Sequence, residues 1–146
     1  MKIIDTYSIR LGLDKIDLFM RLVFAFIVGN SDMHLKNISL IETCPKSRQY
    51  VLSDAYDILS VKIAYPSDLD ELALTLNGKS RHLTRNDFIK FGLNSGLNKT
   101  ALIKIIARFI NLKDTYIKVI NDSMLSNSLK KTYIGLIESR IITLSK

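Results

Sequence analysis

Several polar side chains lie close together in residues 29–37, which read GNSDMHLKN. Asp32 and Asn37 are separated by four residues, a spacing found in sites of phosphoryl transfer. In such sites the aspartate orients or deprotonates the attacking hydroxyl, and the asparagine carbonyl binds magnesium. Both residue types are also common turn formers, so a purely structural role in a loop is the alternative. The chemistry that these residues indicate first is therefore transfer of a phosphoryl group.

A second set of carboxylates follows this segment. Residues 38–42 and 50–53 are short apolar or β-prone runs on either side of TCPKSR, which contains strong turn formers, so they predict a β-hairpin. The hairpin would deliver Asp54 and Asp57 next to the loop. Magnesium takes hard oxygen ligands and keeps several waters, so one carboxylate and the amide oxygen of Asn37 are a sufficient protein contribution. An exposed acidic turn without a chemical role is the alternative for the two aspartates.

These two blocks carry a resemblance to a known family. GNSDMHLKNISL and LSDAYDILS resemble the paired signature of the HipA-like kinases, serine/threonine kinases of bacterial toxin–antitoxin systems. Members typically read G-N-T-D-x-H-x-K-N in the first block and P-x-Y-D-[IVL] in the second. The later LALTLNGK is also similar to a stretch of the family's C-terminal lobe, so the similarity covers most of residues 16–92. Position 54 departs from the pattern, since Asp54 stands where the family usually has proline.

The resemblance implies a role for each residue of the site. Asp32 would be the catalytic aspartate, Asn37 a magnesium ligand that also contacts the nucleotide, and Asp57 the metal-binding aspartate. His34 would support the loop beside the bound nucleotide. Lys36 would contact a phosphate and stabilise charge during transfer, or else be solvated like most lysines. The implied cofactors are ATP and Mg²⁺, and the implied reaction is transfer of the γ-phosphate to a serine or threonine hydroxyl.

The resemblance also raises expectations about partners. In the family, an N-terminal lobe carries the phosphate-covering loop and the lysine that pairs with ATP, and the six glycines of this sequence form no such loop. We therefore expect an N-terminal lobe to be supplied separately. The family implies a protein substrate such as an aminoacyl-tRNA synthetase and a DNA-binding antitoxin. The alternatives are an inactive remnant, a protein- or nucleic-acid-binding module, and a kinase with a lipid or small-molecule acceptor.

The composition of the sequence restricts these interpretations further. A chain of 146 residues that is 47% hydrophobic is expected to form one domain, spanning residues 1–146. The single cysteine, Cys44, excludes an internal disulfide and favours a reducing cytoplasm. The most apolar stretch, residues 18–28, contains Arg21 and is too short for a membrane span, so no membrane association is expected. The net charge of +7 is spread over predicted helix surfaces, so we do not expect direct nucleic-acid binding.

A buried helix must hold the polar loop in place. Apolar residues recur at spacings of three and four through residues 15–28, which predicts a helix that is buried on one face. Gly29 and Asn30 tolerate the left-handed conformation that often ends a helix, so the loop would begin there. A further apolar run at residues 72–76 predicts a strand ending at a turn formed by Asn77 and Gly78.

The rest of the sequence is helical in pattern. Thr84 and Asp87 resemble a capping box at the start of one helix, and Asn98 can cap the next. Residues 100–120 predict one long helix or two abutting ones, and residues 128–144 predict the last. The predicted fold class is therefore mainly α (α+β), a protein-kinase-like C-terminal lobe in which a helical bundle carries a small β-hairpin after the catalytic loop.

Overall fold

The computed structural model describes residues 1–146 and is mainly helical, with one small antiparallel sheet. This confirms the predicted fold class. The elements in chain order are α1 (Lys2–Tyr7), α2 (Leu11–Val28), a 3₁₀ turn (Leu35–Asn37), β1 (Leu40–Glu42), β2 (Tyr50–Leu52), α3 (Val61–Ala64), α4 (Arg85–Asn94), α5 (Lys99–Asn111), α6 (Lys113–Asp122) and α7 (Asn127–Ser145).

Helix α2 is the centre of the core. Its apolar face is buried as the spacing predicted, although the helix begins at Leu11, earlier than expected. It packs against α1, α5 and α7, and Phe26 meets Phe88 of α4 edge to face at 5.2 Å between ring centroids. The helix ends at Gly29, whose φ of 73° is the left-handed conformation expected of a C-cap. Burial of α2 therefore fixes the start of the polar loop.

The predicted hairpin is confirmed, with shorter strands than expected. Strands β1 and β2 pair antiparallel, with Leu40 opposite Leu52. The hairpin is tied to α2 by Asp14, whose side chain has no solvent exposure and whose Oδ2 accepts hydrogen bonds from the Leu52 amide and the Ser8 hydroxyl, both at 2.7 Å. This contact places the end of β2, and the residues that follow it, against the buried helix.

The C-terminal helices follow the predicted caps. Thr84 and Asp87 form the capping box of α4, and the Asn98 side chain accepts hydrogen bonds from the first amides of α5. The long apolar stretch after residue 100 forms two helices, α5 and α6, which meet at Leu112. Arg140 of α7 is buried, lies over the Phe26 ring at 4.5 Å and pairs with Glu71. That pair fastens the irregular segment around Glu71 to the bundle.

The predicted strand at residues 72–76 is wrong. This segment has no strand, and only an isolated bridge joins Leu76 to Lys79 across the turn at Asn77 and Gly78, both of which have positive φ. Leu72 and Leu76 are nevertheless 1% and 0% exposed. Their apolar character reflects burial of an irregular segment, because a short apolar run does not distinguish a strand from any other buried backbone.

Candidate functional site

Asn30 joins the two sequence blocks at the start of the polar loop. Its amide donates to the carbonyl of Ala25 over 2.8 Å as α2 ends, and its side chain is fully buried. The side-chain Oδ1 accepts from the Asp32 amide at 3.1 Å, while Nδ2 donates to the Asp57 carbonyl at 3.4 Å. One buried side chain therefore positions the backbone of both aspartates relative to the end of α2.

Asp32 presents its carboxylate at the surface of the loop, where the side chain is 47% exposed. Nε2 of His34 lies 3.1 Å from Oδ1, and Nζ of Lys36 lies 4.0 Å from Oδ2. A carboxylate in this position can accept a proton from, or orient, a hydroxyl that approaches from solvent. The two basic groups beside it can attract an anionic ligand.

Asn37 and Asp57 are brought together from opposite sides of the hairpin. Asn37 is 5% exposed, and its Nδ2 donates to Oδ2 of Asp57 over 2.8 Å. The same Nδ2 lies 3.4 Å from the backbone carbonyl of Asp32. Asp57 has a φ of 55°, a left-handed conformation that aspartate adopts more readily than most residues. Asp32, Asn37 and Asp57, for which metal and proton chemistry was predicted, therefore lie next to one another.

The donor set at this place fits magnesium. Nowhere in residues 1–146 do three or more His, Cys, Asp or Glu side chains form a group that could hold a metal ion. A metal at the site would rely on the Asp57 carboxylate and on Oδ1 of Asn37, since Nδ2 is a donor and cannot bind a cation, with the remaining ligands from water and phosphate. Magnesium accepts such a sparse set of oxygen ligands, whereas structural zinc sites usually need four protein ligands.

The two carboxylates that follow the hairpin have different surroundings. Asp57 contacts Asn37, whereas Asp54 is exposed and contributes to the electrostatic surroundings of Arg21. Burial lowers the pKa of Arg21, and the negative charges of Asp17 and Asp54 partly offset that effect. Arg21 also donates to the carbonyl of Ser53, the residue before Asp54. Asp54 therefore lies outside the group formed by Asp32, Asn37 and Asp57.

Tyr56 joins the segment that carries Asp57 to the polar loop by hydrogen bonds. Its hydroxyl donates to the carbonyl of Lys36 at 2.9 Å and lies 2.6 Å from the Ser39 hydroxyl. Residues 54–60 form no regular structure, so these bonds replace the support that a helix or strand would provide. The place of Tyr56 directly before Asp57 is the sequence signal that could have indicated this supporting role.

A further contact holds the loop from a distant part of the chain. The hydroxyl of Ser31, the residue before Asp32, donates to Oδ2 of Asp68. The amine of Lys62 in α3 donates to the Asp68 carbonyl, and the Lys62 amide donates to the carbonyl of Gly29 at 3.2 Å. Sequence reasoning missed Asp68 because no spacing rule links residues so far apart.

An apolar cavity of about 520 Å³ opens beside the loop, between α1, α2 and the hairpin. Its lining is mainly aliphatic and includes Ile3 and Leu35, which are 61% and 69% exposed. Leu35 lies directly before Lys36 in the 3₁₀ turn. An exposed apolar area next to polar functional groups is typical of a surface that another protein segment covers.

None of the helices combines the length and apolar character needed to cross a membrane.

The arrangement defines a class of protein. A buried helix leads into a loop with Asp32 and Asn37, and a hairpin then delivers Asp57, as in the C-terminal lobe of protein kinases. Residues 1–115 match the family described as HipA-like C-terminal domain, and the chain belongs to that family.

Two curated relatives and one solved structure support this assignment. A protein of Haemophilus influenzae named "Putative kinase" is 30% identical over 126 residues, which cover 75% of this chain and 36% of the relative. "Putative kinase Y4dM" of Sinorhizobium fredii is 37% identical over 92 residues, covering 62% of this chain and 22% of the relative. The chain therefore spans about a third or less of the relatives' length.

The fold also matches part of a solved structure. A structure of the Shewanella oneidensis MR-1 toxin–antitoxin system, with HipA, HipB and operator DNA, superposes with a TM-score of 0.78 over 93% of this chain and 33% of that one. The sequence identity is 20%, so this similarity concerns the fold. The predicted resemblance to the HipA-like family is thus confirmed, while the roles of the individual site residues stay predictions.

Proposed function

We propose that this chain is the phosphate- and metal-handling part of a HipA-like serine/threonine protein kinase, with ATP and Mg²⁺ as its cofactors. The observation that carries the proposal is the convergence of Asp32, Asn37 and Asp57 through Nδ2 of Asn37, which lies 2.8 Å from the Asp57 carboxylate and 3.4 Å from the Asp32 carbonyl. Belonging to the family makes kinase chemistry the natural use of this arrangement.

In the proposed mechanism the side chains act by position and charge. Asp32 orients the serine or threonine hydroxyl of the substrate and accepts its proton. Lys36 and His34, within 4.0 and 3.1 Å of that carboxylate, place positive charge or hydrogen-bond donors where the transferred phosphate arrives. Asn37 and Asp57 would hold the magnesium, which would supply positive charge against the phosphates. Positioning and electrostatic stabilisation supply most of the catalysis in phosphoryl transfer.

The partners of the site follow from the family and from the exposed apolar cavity. We expect an N-terminal lobe, supplied separately, to cover the nucleotide and the apolar surface at Ile3 and Leu35. The acceptor would be a protein such as an aminoacyl-tRNA synthetase. A DNA-binding antitoxin is expected as a regulatory partner, by analogy with the Shewanella oneidensis complex, in which HipA occurs together with HipB and operator DNA.

The first test is magnesium-dependent ATP binding, measured by calorimetry on the wild type, Asp57→Asn and Asp54→Asn. The two variants lose the same charge three positions apart, but only Asp57 contacts Asn37. We expect Asp57→Asn to weaken ATP binding at least tenfold in the presence of magnesium, and Asp54→Asn to stay within about twofold of the wild type. Equal effects of the two variants would contradict the metal role of Asp57.

The alternative is a module that binds a partner without chemistry. It is favoured by the accessible apolar cavity, which could hold a protein partner whether or not the polar site works. Absence of ATP binding in the wild type, both alone and with an N-terminal lobe of a relative added, would favour this alternative. Magnesium-dependent phosphate transfer that is lost in Asp32→Asn would exclude it.

A further inference from the structure

Asp68 lies in the irregular segment after α3, far from the polar loop in sequence but in contact with it in space. Its Oδ2 accepts from the hydroxyl of Ser31, and its Oδ1 accepts from the Asp70 amide at 3.0 Å. The Ser31 residue is 7% exposed, so its hydroxyl has little access to water. The carboxylate therefore connects a local turn to the residue that directly precedes Asp32.

The acceptor in the contact with Ser31 is the carboxylate of Asp68. The bond from Ser31 is the main cause that lowers the pKa of Asp68, and the bond from the Asp70 amide adds to it. Asp68 is therefore a charged acceptor at neutral pH. Hydrogen bonds to charged groups are stronger than those between neutral groups.

The segment that carries Asp68 is itself anchored on both sides. Lys62 donates its amine to the Asp68 carbonyl and its backbone amide to Gly29, where the loop begins. On the other side, the Asp70 carboxylate accepts from Ser80 at 2.9 Å and from Arg81 at 2.8 Å. Asp68 is thus fixed relative to the body of the protein and can transmit that position to the loop.

Asn30 holds the backbone amide of Asp32, whereas the carboxylate of Asp32 contacts only the exposed side chains of His34 and Lys36, so its position depends on how firmly the loop as a whole is held. We propose that Asp68 is a positioning residue, which holds the Ser31 hydroxyl and thereby fixes the loop that presents Asp32 to the substrate. This inference rests on the proposed kinase function for its catalytic consequence. The geometric part, that Asp68 orders the loop, does not depend on that function.

Amide hydrogen exchange tests the geometric part on the full chain. We compare the wild type with Asp68→Ala, Ser31→Ala and Ser31→Thr, and use the exposed Asp122→Ala as a control for loss of one carboxylate. The rate of amide exchange over residues 29–37 should rise by roughly tenfold in Asp68→Ala and in Ser31→Ala. Ser31→Thr keeps the hydroxyl and should stay close to the wild type, as should Asp122→Ala. The double variant Asp68→Ala/Ser31→Ala should exchange only slightly faster than either single variant, because both single variants remove the same contact. Unchanged exchange in Asp68→Ala would overturn the proposal.

Kinetics test the catalytic part. For the rate of phosphate release from ATP with magnesium, we expect Asp68→Ala to lower kcat by about tenfold to a hundredfold with little change in KM for ATP. If Asp68 only stabilised the fold, Asp68→Ala would instead lower the unfolding midpoint, and kcat would not fall selectively while KM for ATP stays unchanged. A wild type that releases no phosphate, both alone and with an N-terminal lobe of a relative added, would contradict the proposed function, and the exchange data would still decide whether Asp68 orders the loop.

Discussion

The side-chain amide of Asn37 donates to the carboxylate of Asp57 over 2.8 Å, and this bond joins the end of the polar loop to the segment after the hairpin. It forms although Asp57 must adopt a φ of 55°. Aspartate tolerates the left-handed conformation better than most residues other than glycine, so the cost is at most of order 1 kcal/mol, and the surrounding contacts offset it. Those contacts come from Asn30 and Tyr56, which hold the backbone on either side.

Replacing Asn37 by aspartate tests whether this pair can bind a cation. Asn37→Asp places a second carboxylate against Asp57, so without metal the repulsion should destabilise the fold by about 1–3 kcal/mol. Excess magnesium should restore the loss, since saturation at about a hundred times Kd stabilises by roughly 2.7 kcal/mol. The measurement is the unfolding midpoint in chelator and in magnesium. Asn121→Asp, on the exposed end of α6, is the control and should show no magnesium response beyond that of the wild type.

Local patterns explain what could be predicted about the fold. The helix through residues 15–28 and the caps at Thr84 and Asn98 were found because spacing and capping act within a few residues of the chain. The strand at residues 72–76 was wrong because burial, rather than strand pairing, explains its apolar residues. Helix α1 was missed because it is short and has no side-chain cap.

In the candidate site, too, local features could be predicted and long-range contacts could not. The juxtaposition of Asn37 and Asp57 was anticipated because a hairpin between them is a local feature with a readable turn. The contact between Ser31 and Asp68 joins residues 37 positions apart through irregular backbone. No periodicity or turn chemistry encodes such a contact, since it depends on how the whole bundle brings the segments together.

Asp14 should stabilise the protein in a pH-dependent manner. Burial alone would raise its pKa, but hydrogen bonds from Ser8, the Leu52 amide and Arg10 outweigh that effect, and the pKa lies below the ordinary 3.8. Asp14→Asn replaces one acceptor oxygen by a donor that faces other donors, and should cost about 2–3 kcal/mol at pH 7.

The sign of the pH dependence follows from the lowered pKa. The stabilisation by Asp14 is fully present above the unfolded-state value, and it is lost as pH falls below about 3.9 and through the lower folded value. Urea unfolding at pH 7 and pH 3 should therefore show the difference between wild type and Asp14→Asn narrowing at the acidic pH. A difference that stays constant would mean that the charge of Asp14 contributes little.

Gly29 should tolerate no side chain. A Cβ at this position would lie 2.7 Å from Cδ2 of Leu136 and 3.0 Å from Cβ of Lys62, and the φ of 73° adds a cost of roughly 1–2 kcal/mol for alanine. Gly29→Ala should therefore lose more than about 2 kcal/mol of unfolding free energy. Gly12→Ala, in the first turn of α2 with nothing within 4 Å of the new Cβ, should change stability by at most about 1 kcal/mol and in the stabilising direction. Similar losses in both variants, measured by urea unfolding, would contradict the close packing around Gly29.

The apolar surface at Leu35 should make the isolated chain self-associate. Leu35 is 69% exposed beside the apolar cavity, and burying one leucine side chain contributes about 1.5–3 kcal/mol. Leu35→Lys should therefore weaken self-association by roughly tenfold or more, as measured by static light scattering over a range of concentrations. Val119→Lys, at a position 64% exposed on α6 and outside the cavity, is the matched control and should leave association unchanged. If the wild type remains a monomer at high concentration, or if both variants associate alike, the surface at Leu35 does not mediate association. The proposal that another lobe covers this surface would then lose its physical basis.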